Sequence, residues 1–266
     1  MVEAVTRTGR RLALALGLAA ALTGWAQAGQ LLADVRSRGT LRIAIEGTYP
    51  PFNFKDPKTG QLTGYDVEVA RLVCEKLHLK PHFVFTEWSA VLPAVAGGKV
   101  DVAISQVVIT PEREQAFAFS VPYTYSRYQL IVRANERATY RSLADLKDRA
   151  VGVRQGSVYE QQVSAVPGIE VRRYPAAPEN LQDLAFGRID AVLDDSLMVA
   201  YLLKTSQLPI KAGPQVGKAE RVGIAMRKGQ PQFGKAIDDI LEEARADGTL
   251  RRISMKWFGT DASRAP

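Results

Sequence analysis

Short apolar runs alternate with helical patterns along the first part of the chain. The runs at residues 41–45, 82–85 and 101–109 suit buried strands, and each is followed by a predicted helix. In the first of these helices, which Asp66 opens, apolar residues recur at spacings of three and four from residue 67 to residue 77, as expected of a helix with one buried face. This alternation predicts a mostly parallel sheet flanked by helices.

The same order returns in the second part of the chain, which predicts a second lobe of the same α/β class. The elements predicted for it are strands at residues 128–133, 150–154, 169–174 and 189–193, and helices at residues 158–163, 178–186 and 196–203. A final strand at residues 222–227 and a helix at residues 231–246 follow. Each lobe is expected to be a mostly parallel sheet flanked by helices. Residues 261–266 are expected to fray.

The first candidate site lies where the run at residues 101–109 meets a helix. Thr110 offers an N-cap hydroxyl, Pro111 a first helical residue, and Arg113 a forked pair of donors in the first turn. Unpaired backbone N–H groups collect at such a helix start, so the junction has the groups that bind a carboxylate. An ordinary strand-to-helix turn with a solvated Arg113 is the alternative for this stretch alone.

Further polar and aromatic residues follow other predicted strands. Ligands of such sheets bind outside the carboxyl ends of the strands, so these residues are expected to meet there. Asp195 with Glu46 suits an ammonium group, and Tyr49 with Trp88 suits apolar or cationic surface; the alternatives are a helix cap at Asp195 and core packing at Trp88. Together the groups fit an α-amino acid. The candidates are Glu46, Tyr49, Trp88, the loop of residues 105–113 with Ser105, Gln106 and Arg113, and Arg154, Ser157 and Asp195.

Residues 1–28 have the pattern of a secretory signal peptide. Arg7, Arg10 and Arg11 precede an apolar stretch at residues 12–22, and Ala26-Gln27-Ala28 provides a small-x-small cleavage site. The apolar stretch is well short of the roughly 20 residues that span a bilayer. Because Cys74 is the only cysteine, neither a lipid anchor at the mature N-terminus nor an internal disulfide is expected. The mature protein is expected to be free in the periplasm.

Composition and motifs argue against several other functions. The chain is 46% apolar and 24% charged, which is typical of a soluble globular protein, and its basic residues are scattered among acids, which disfavours nucleic-acid binding. His78 and His82 are separated by a proline and have no cluster of metal ligands beside them. Neither a nucleotide-binding loop nor a Ser-His arrangement is found. No cofactor, metal or catalytic residue is therefore predicted, and an enzyme would have to use carboxylates such as Glu46 or Asp195.

Six motifs, in order, give the chain a resemblance to a known family. They are Glu46-Gly47-Thr48-Tyr49-Pro50-Pro51-Phe52, Gly64-Tyr65-Asp66-Val67-Glu68, Ile109-Thr110-Pro111-Glu112-Arg113, Val151-Gly152-Val153 with Gly156-Ser157, Gly187-Arg188-Ile189-Asp190-Ala191, and Ala246-Asp247-Gly248-Thr249-Leu250. Over residues 36–260 the chain resembles the periplasmic polar amino-acid-binding proteins of ABC importers.

The resemblance implies an architecture and a set of partners. The first lobe would be discontinuous, residues 36–123 plus 223–260, the second lobe would be residues 124–222, and two crossover strands would form the hinge. A small amino-acid ligand would be held between the closing lobes. The partners would be the membrane permease and ATPase subunits of an ABC importer, and the receptor is expected to be a monomer.

The resemblance also assigns roles position by position. Arg113 would bind the ligand carboxylate together with backbone amides near Val108 and Val158. Asp195 would pair with the ammonium group, and Tyr49 would lie against the carbon chain of the ligand.

The chain departs from the family pattern at Val108 and Val158, where many members carry a hydroxyl residue, and at Gln106, where glycine is frequent. Further segments resemble the cystine-binding branch, namely Ser105-Gln106-Val107, Ala177-Pro178-Glu179-Asn180-Leu181-Gln182-Asp183-Leu184, Asp195-Ser196-Leu197-Met198 and Lys256-Trp257-Phe258-Gly259. Cystine has two ammonium and two carboxylate groups, so Arg154 or Glu46 would have charge partners beyond the first amino-acid head. Glutamine, an acidic amino acid or a basic one are the alternatives, and Arg154 opposes the basic one by repulsion.

Cyclohexadienyl dehydratases resemble the same receptors. In that alternative Glu46 would protonate a leaving hydroxyl group.

Overall fold

The computed structural model describes residues 30–266, so the predicted signal peptide lies outside the described residues. Two five-stranded sheets, each flanked by helices, form the two lobes. The first lobe begins with the elements α1 (Gln30–Arg38), β1 (Thr40–Ile45), β2 (Thr48–Tyr49), β3 (Asn53–Lys55), β4 (Leu62–Thr63), α2 (Tyr65–Lys76), β5 (Lys80–Phe85), α3 (Trp88–Ala96), β6 (Val102–Ala103), α4 (Pro111–Ala116) and β7 (Phe117–Phe119).

The second lobe follows, and the chain then returns to the first. The elements of the second lobe are β8 (Thr124–Arg133), a 3₁₀ turn (Leu143–Leu146), β9 (Ala150–Arg154), α5 (Val158–Ser164), β10 (Glu170–Tyr174), α6 (Ala177–Ala185), β11 (Ala191–Asp195), α7 (Ser196–Thr205) and β12 (Ile210–Val222). The returning elements are β13 (Ala225–Arg227), α8 (Pro231–Ala246) and α9 (Thr249–Phe258). No helix within residues 30–266 is long and apolar enough to cross a membrane.

The first sheet has the strand order β5-β1-β6-β13-β7. β1 pairs in parallel with β5 and β6, whereas β13 is antiparallel to β6 and β7. Val69, Ala70 and Val73 lie on the buried face of α2, which confirms the helical spacing seen in the sequence. The carboxyl ends of β1 and β6 therefore open on the same edge of the sheet.

The second sheet has the strand order β10-β9-β11-β8-β12. β9 pairs in parallel with β10 and β11, and β8 is antiparallel to β11 and β12. The predicted fold class, a two-lobed α/β protein, is confirmed, although each sheet is mixed rather than mostly parallel, with two parallel and two antiparallel strand pairings.

The chain crosses between the sheets twice, and the two crossings are hydrogen-bonded to each other. Thr124 stands opposite Val222 in the β8–β12 pairing, and the backbone N–H of Tyr123 donates to the carbonyl of Val222 over 2.9 Å. Val108 forms an isolated bridge with Val222. The paired crossing strands therefore also contact the loop that follows β6.

The strand predicted at residues 222–227 is two elements in the structure. Val222 ends β12 and Ala225 begins β13. Between them Gly223 allows a close approach, because a Cβ atom there would lie 2.9 Å from Cδ1 of Ile109 and 3.1 Å from the carbonyl oxygen of Ser120. β12 itself was not predicted, since Gly213, Pro214 and Gly217 resemble turn signals; it is an edge strand with two register shifts, where these residues are tolerated.

The prediction that residues 261–266 fray is wrong for their first part. Ala262 and Ser263 are buried, and the carbonyl of Ala262 accepts a hydrogen bond from the backbone N–H of Tyr125 over 2.7 Å. The hydroxyl of Ser254 accepts from the backbone N–H of Ala262 over 2.8 Å. The C-terminal segment is therefore docked beside the start of β8.

Candidate ligand-binding site

The junction after β6 has the helix start that the sequence predicts. Thr110 is the N-cap of α4, and its hydroxyl accepts from the backbone N–H of Arg113 over 3.2 Å. Nη1 of Arg113 donates to the carbonyl of Val108 over 2.9 Å, and the guanidinium carbon lies 5.7 Å from the centre of the Trp88 ring. Burial lowers the pKa of Arg113.

The positive charge of Arg113 has no carboxylate partner among the described residues. Its hydrogen bond goes to a carbonyl, and none of the ion pairs within residues 30–266 includes it, at a limit of 4.0 Å between nitrogen and oxygen. A partly buried guanidinium without a carboxylate retains donors for an anion, since it has five N–H groups in a fixed fork.

The corresponding junction after β9 is closed by its own side chain. Ser157 is the N-cap of α5; its hydroxyl accepts from the backbone N–H of Glu160 over 3.2 Å and donates to the carbonyl of Arg154 over 2.6 Å. Val158 is the first residue of α5 and is 4% exposed. The Ser157 hydroxyl at this helix start is therefore held by local hydrogen bonds.

The end of β11 places two carboxylates side by side. Asp195 is the N-cap of α7, where Oδ1 accepts from the backbone N–H of Leu197 over 2.7 Å, and Oδ2 accepts from the hydroxyl of Ser126 over 2.5 Å. Burial raises the pKa of Asp195 to about 7. Asp195 therefore fills the cap role that was the alternative to ammonium binding, although carboxylate oxygens retain further acceptor capacity.

Asp194 was not predicted as a site residue, but it lies closer to the aromatic groups of the first lobe. Its Oδ1 accepts from the hydroxyl of Tyr49 over 2.5 Å and lies 4.0 Å from Nη2 of Arg154. Burial raises the pKa of Asp194. Successive strand residues point to opposite faces, and the structure resolves which member of the Asp194-Asp195 pair faces Tyr49.

A cluster of charged and aromatic side chains joins the lobes around Arg154. Nη1 of Arg154 donates to Oε2 of Glu46 over 2.8 Å. Its guanidinium carbon lies 3.8 Å from the centre of the Tyr49 ring and 4.9 Å from that of Trp88. Burial raises the pKa of Glu46, against the lowering effect of Arg154. The structure thus brings Glu46, Tyr49 and Trp88 together with Arg154, as strand-end placement predicted.

Ser105 and Gln106 lie in a different network. The side-chain nitrogen of Gln106 donates to Asp66 over 2.7 Å, and that of Asn53 donates to Asp66 over 2.9 Å and to the Ser105 hydroxyl over 3.4 Å. Tyr123 also donates to Asp66, over 2.9 Å. Burial raises the pKa of Asp66 to about 6. These hydrogen bonds hold the loop that follows β6. No sequence motif indicated that Asn53 would bond to Asp66 and Ser105.

Residues 30–266 contain no group of three or more His, Cys, Asp or Glu side chains placed to hold an ion. What the site presents instead is an uncompensated guanidinium, two helix starts and a pair of carboxylates, which can bind both ends of a zwitterion.

Two α/β lobes connected by a paired crossing, with charged side chains of both lobes meeting at the strand ends, define a solute-binding protein. Its family is also shown by sequence. The chain belongs to the bacterial extracellular solute-binding proteins, family 3, whose profile matches residues 41–260. The resemblance noted from six motifs is therefore confirmed.

Relatives and solved structures of this family bind amino acids. The chain is 38% identical over 235 residues to the L-cystine-binding protein TcyJ of Escherichia coli (strain K12), covering 88% of each chain. It is 38% identical to an ancestral arginine-binding protein solved with arginine, with a TM-score of 0.79 over 84% of this chain and 99% of that one. It is 34% identical to the ancestral amino acid-binding protein AncCDT-1, a precursor of cyclohexadienyl dehydratase, with a TM-score of 0.80 over 85% of this chain and 99% of that one.

Proposed function

We propose that the protein captures a polar L-amino acid, with cystine as the first candidate, between its two lobes and delivers it to an ABC importer. The lobes are residues 36–123 plus 223–260 and residues 124–222, and the partners are the permease and ATPase subunits in the membrane. The receptor acts as a monomer in the periplasm after removal of residues 1–28.

The observation that carries this proposal is the state of Arg113. Its guanidinium lies at the first turn of α4, bonded to the carbonyl of Val108, and it has no carboxylate partner within residues 30–266 at 4.0 Å. The guanidinium is partly buried, and withdrawing a cation from water without a counterion is unfavourable. A ligand carboxylate would supply the missing charge and would also reach the backbone amides of the helix start.

The opposite end of an amino acid has a partner in the second lobe. Asp195 lies at the end of β11, and its two oxygens already accept from Leu197 and Ser126. An ammonium group adds donors to the remaining lone pairs, and its charge favours the ionised form of Asp195. Val108 and Val158 provide backbone groups only, and the ring of Tyr49 provides apolar surface for the carbon chain.

Cystine is preferred among amino acids because the site has charges beyond those that one amino-acid head uses. Glu46 and Arg154 form a buried pair at the interface of the lobes, and cystine brings a second ammonium and a second carboxylate. The L-cystine-binding protein TcyJ is named for that ligand, which supports the choice.

The dehydratase alternative has less support. Glu46, the carboxyl that would donate a proton, already accepts a hydrogen bond from Nη1 of Arg154 over 2.8 Å, and this contact opposes the rise in its pKa that burial causes. AncCDT-1 is itself described as an amino acid-binding protein. Saturable product formation from prephenate or arogenate would overturn the assignment as a binding protein.

A thermal-shift panel of single amino acids, followed by calorimetry, tests the proposal. At about 100 times its Kd a ligand stabilises the folded state by about 2.7 kcal/mol, so the cognate ligand should raise the Tm by several degrees. Cystine is expected to give the largest shift. If cystine is inert and another amino acid is active, the branch assignment fails; if no amino acid acts, the receptor function fails.

A further inference from the structure

Arg154 lies in a cage of groups that suit a guanidinium ion. The residue is 1% exposed. Its guanidinium carbon lies 3.8 Å from the ring centre of Tyr49, 4.9 Å from that of Trp88 and 5.8 Å from that of Tyr159. Nη1 donates to Oε2 of Glu46 over 2.8 Å. Aromatic faces together with a carboxylate are the surroundings that bind an organic cation.

Most of this cage belongs to the lobe opposite to Arg154. Glu46 follows β1, Tyr49 ends β2 and Trp88 begins α3, all in the first lobe. Arg154 ends β9 of the second lobe. The side chain of Arg154 therefore extends from the second lobe across the cleft and packs among residues of the first lobe.

The cage is not filled to its hydrogen-bonding capacity. Within residues 30–266, Nε of Arg154 and Oδ2 of Asp194 are buried without a hydrogen-bond partner. Nη2 of Arg154 stays 4.0 Å from Oδ1 of Asp194. Two buried carboxylates, Glu46 and Asp194, thus face one guanidinium that is anchored to β9 and hydrogen-bonds only the first of them.

We propose that Arg154 is a tethered guanidinium that occupies a cation site of the first lobe when the lobes close, and that it determines specificity by excluding arginine and other cationic amino acids. The inference rests on the proposed function, since it names the ligand class that the same cleft rejects. A free cation would have to displace Arg154 from Glu46 and Tyr49 and would then leave a second guanidinium buried without its partner. Cystine does not incur this cost, because its second carboxylate would pair with Arg154 while its second ammonium group pairs with Glu46.

Removing the Arg154 side chain should create a binding site for a free guanidinium compound. Arg154→Ala deletes the atoms of an ethylguanidinium ion and leaves the carboxylates of Glu46 and Asp194 without their cation. Millimolar ethylguanidinium is expected to raise the Tm of this variant by about 2–4 °C relative to N-ethylurea, which has the same shape and no charge. If Arg154→Ala is unfolded, recovery of the folded state by ethylguanidinium and not by N-ethylurea is the equivalent result.

Amino-acid binding provides the second measurement. Arg154→Ala is expected to bind arginine at least about tenfold more tightly than the unmodified protein does, and citrulline, the neutral analogue of arginine, should show no such gain. Arg154→Lys keeps the charge and should still reject arginine. Arg172→Ala removes an exposed arginine of the neighbouring strand and should change neither measurement.

The outcomes separate this inference from the proposed function. Failure of ethylguanidinium to act on Arg154→Ala, or an equal gain for arginine and citrulline, would overturn the role of Arg154 even if the unmodified protein binds cystine. Conversely, if the unmodified protein binds no zwitterionic amino acid, the receptor proposal fails, whereas ethylguanidinium rescue still decides whether the cage is a cation site.

Discussion

The two lobes present the same local structure to the cleft with opposite electrostatic outcomes. In the first lobe a hydroxyl cap, Thr110, precedes Arg113, whose charge has no carboxylate partner within residues 30–266 at 4.0 Å. In the second lobe the hydroxyl cap Ser157 follows Arg154, whose charge is paired with Glu46 of the other lobe. One junction is therefore ready for an anion, while the other is satisfied by the protein itself. An arginine at the cleft therefore indicates an anion-binding site where, as at Arg113, the described residues supply no carboxylate partner.

The largest effect is expected from removing the unpaired cation. Arg113→Ala should weaken ligand binding by about 2–5 kcal/mol, because the ligand carboxylate would be buried without its partner. The fold should persist, since Arg113 makes one side-chain hydrogen bond, to Val108. Isothermal calorimetry measures the loss, with the exposed Arg172→Ala as the matched control. Near-native affinity in Arg113→Ala would mean that the first junction is an ordinary turn.

A smaller loss is expected from neutralising the carboxylate of the second lobe. Asn caps helices about as well as Asp, so Asp195→Asn should keep the start of α7 while it removes the charge that faces the ammonium group. Affinity should fall by about 1.5–3 kcal/mol, the range for a hydrogen bond to a charged group. Asp194→Asn is the comparison. A larger loss in Asp194→Asn than in Asp195→Asn would transfer the ammonium role to Asp194.

The carboxylate of Asp195 also predicts that stability and ligand affinity change with pH in opposite directions. Burial raises the pKa of Asp195 to about 7, above its value in the unfolded chain, so this group destabilises the ligand-free protein as the pH rises from about 4 to 7. Ligand binding needs the ionised carboxylate, so affinity should fall by up to about tenfold per pH unit below 7. Calorimetry and thermal unfolding across this range measure both slopes. In Asp195→Asn both should be reduced, and an unchanged affinity slope would contradict the assignment.

The sequence predicted those features that depend on neighbouring residues. The segment Thr110-Pro111-Glu112-Arg113 contains an N-cap residue, a first helical residue and a guanidinium within one turn. The structure has the predicted cap, in which the Thr110 hydroxyl accepts from the backbone N–H of Arg113. The pairing of Arg154 with Glu46 joins residues 108 apart and exists only where the lobes meet, so a local pattern carries no signal for it.

Two further features of the structure could not be predicted from the sequence, because they also depend on contacts between distant parts of the chain. Asp194 and Asp195 are adjacent, and the face that each side chain takes depends on the register of β11 with β8 and β9, which the residues themselves do not specify. β12 contains residues that usually mark turns, yet it pairs along the sheet edge with β8. In both cases tertiary pairing decides what local propensity leaves open.

The smallest expected effect compares the two hydroxyl caps directly. Thr110→Ala should cost about 1 kcal/mol, since it removes the acceptor for the backbone N–H of Arg113. Ser157→Ala should cost more, because its hydroxyl also donates to the carbonyl of Arg154 over 2.6 Å and is fully enclosed, so its loss leaves a buried acceptor with one bond fewer. Urea unfolding of the ligand-free variants measures both free energies. Equal losses would show that the Ser157–Arg154 bond adds nothing to stability.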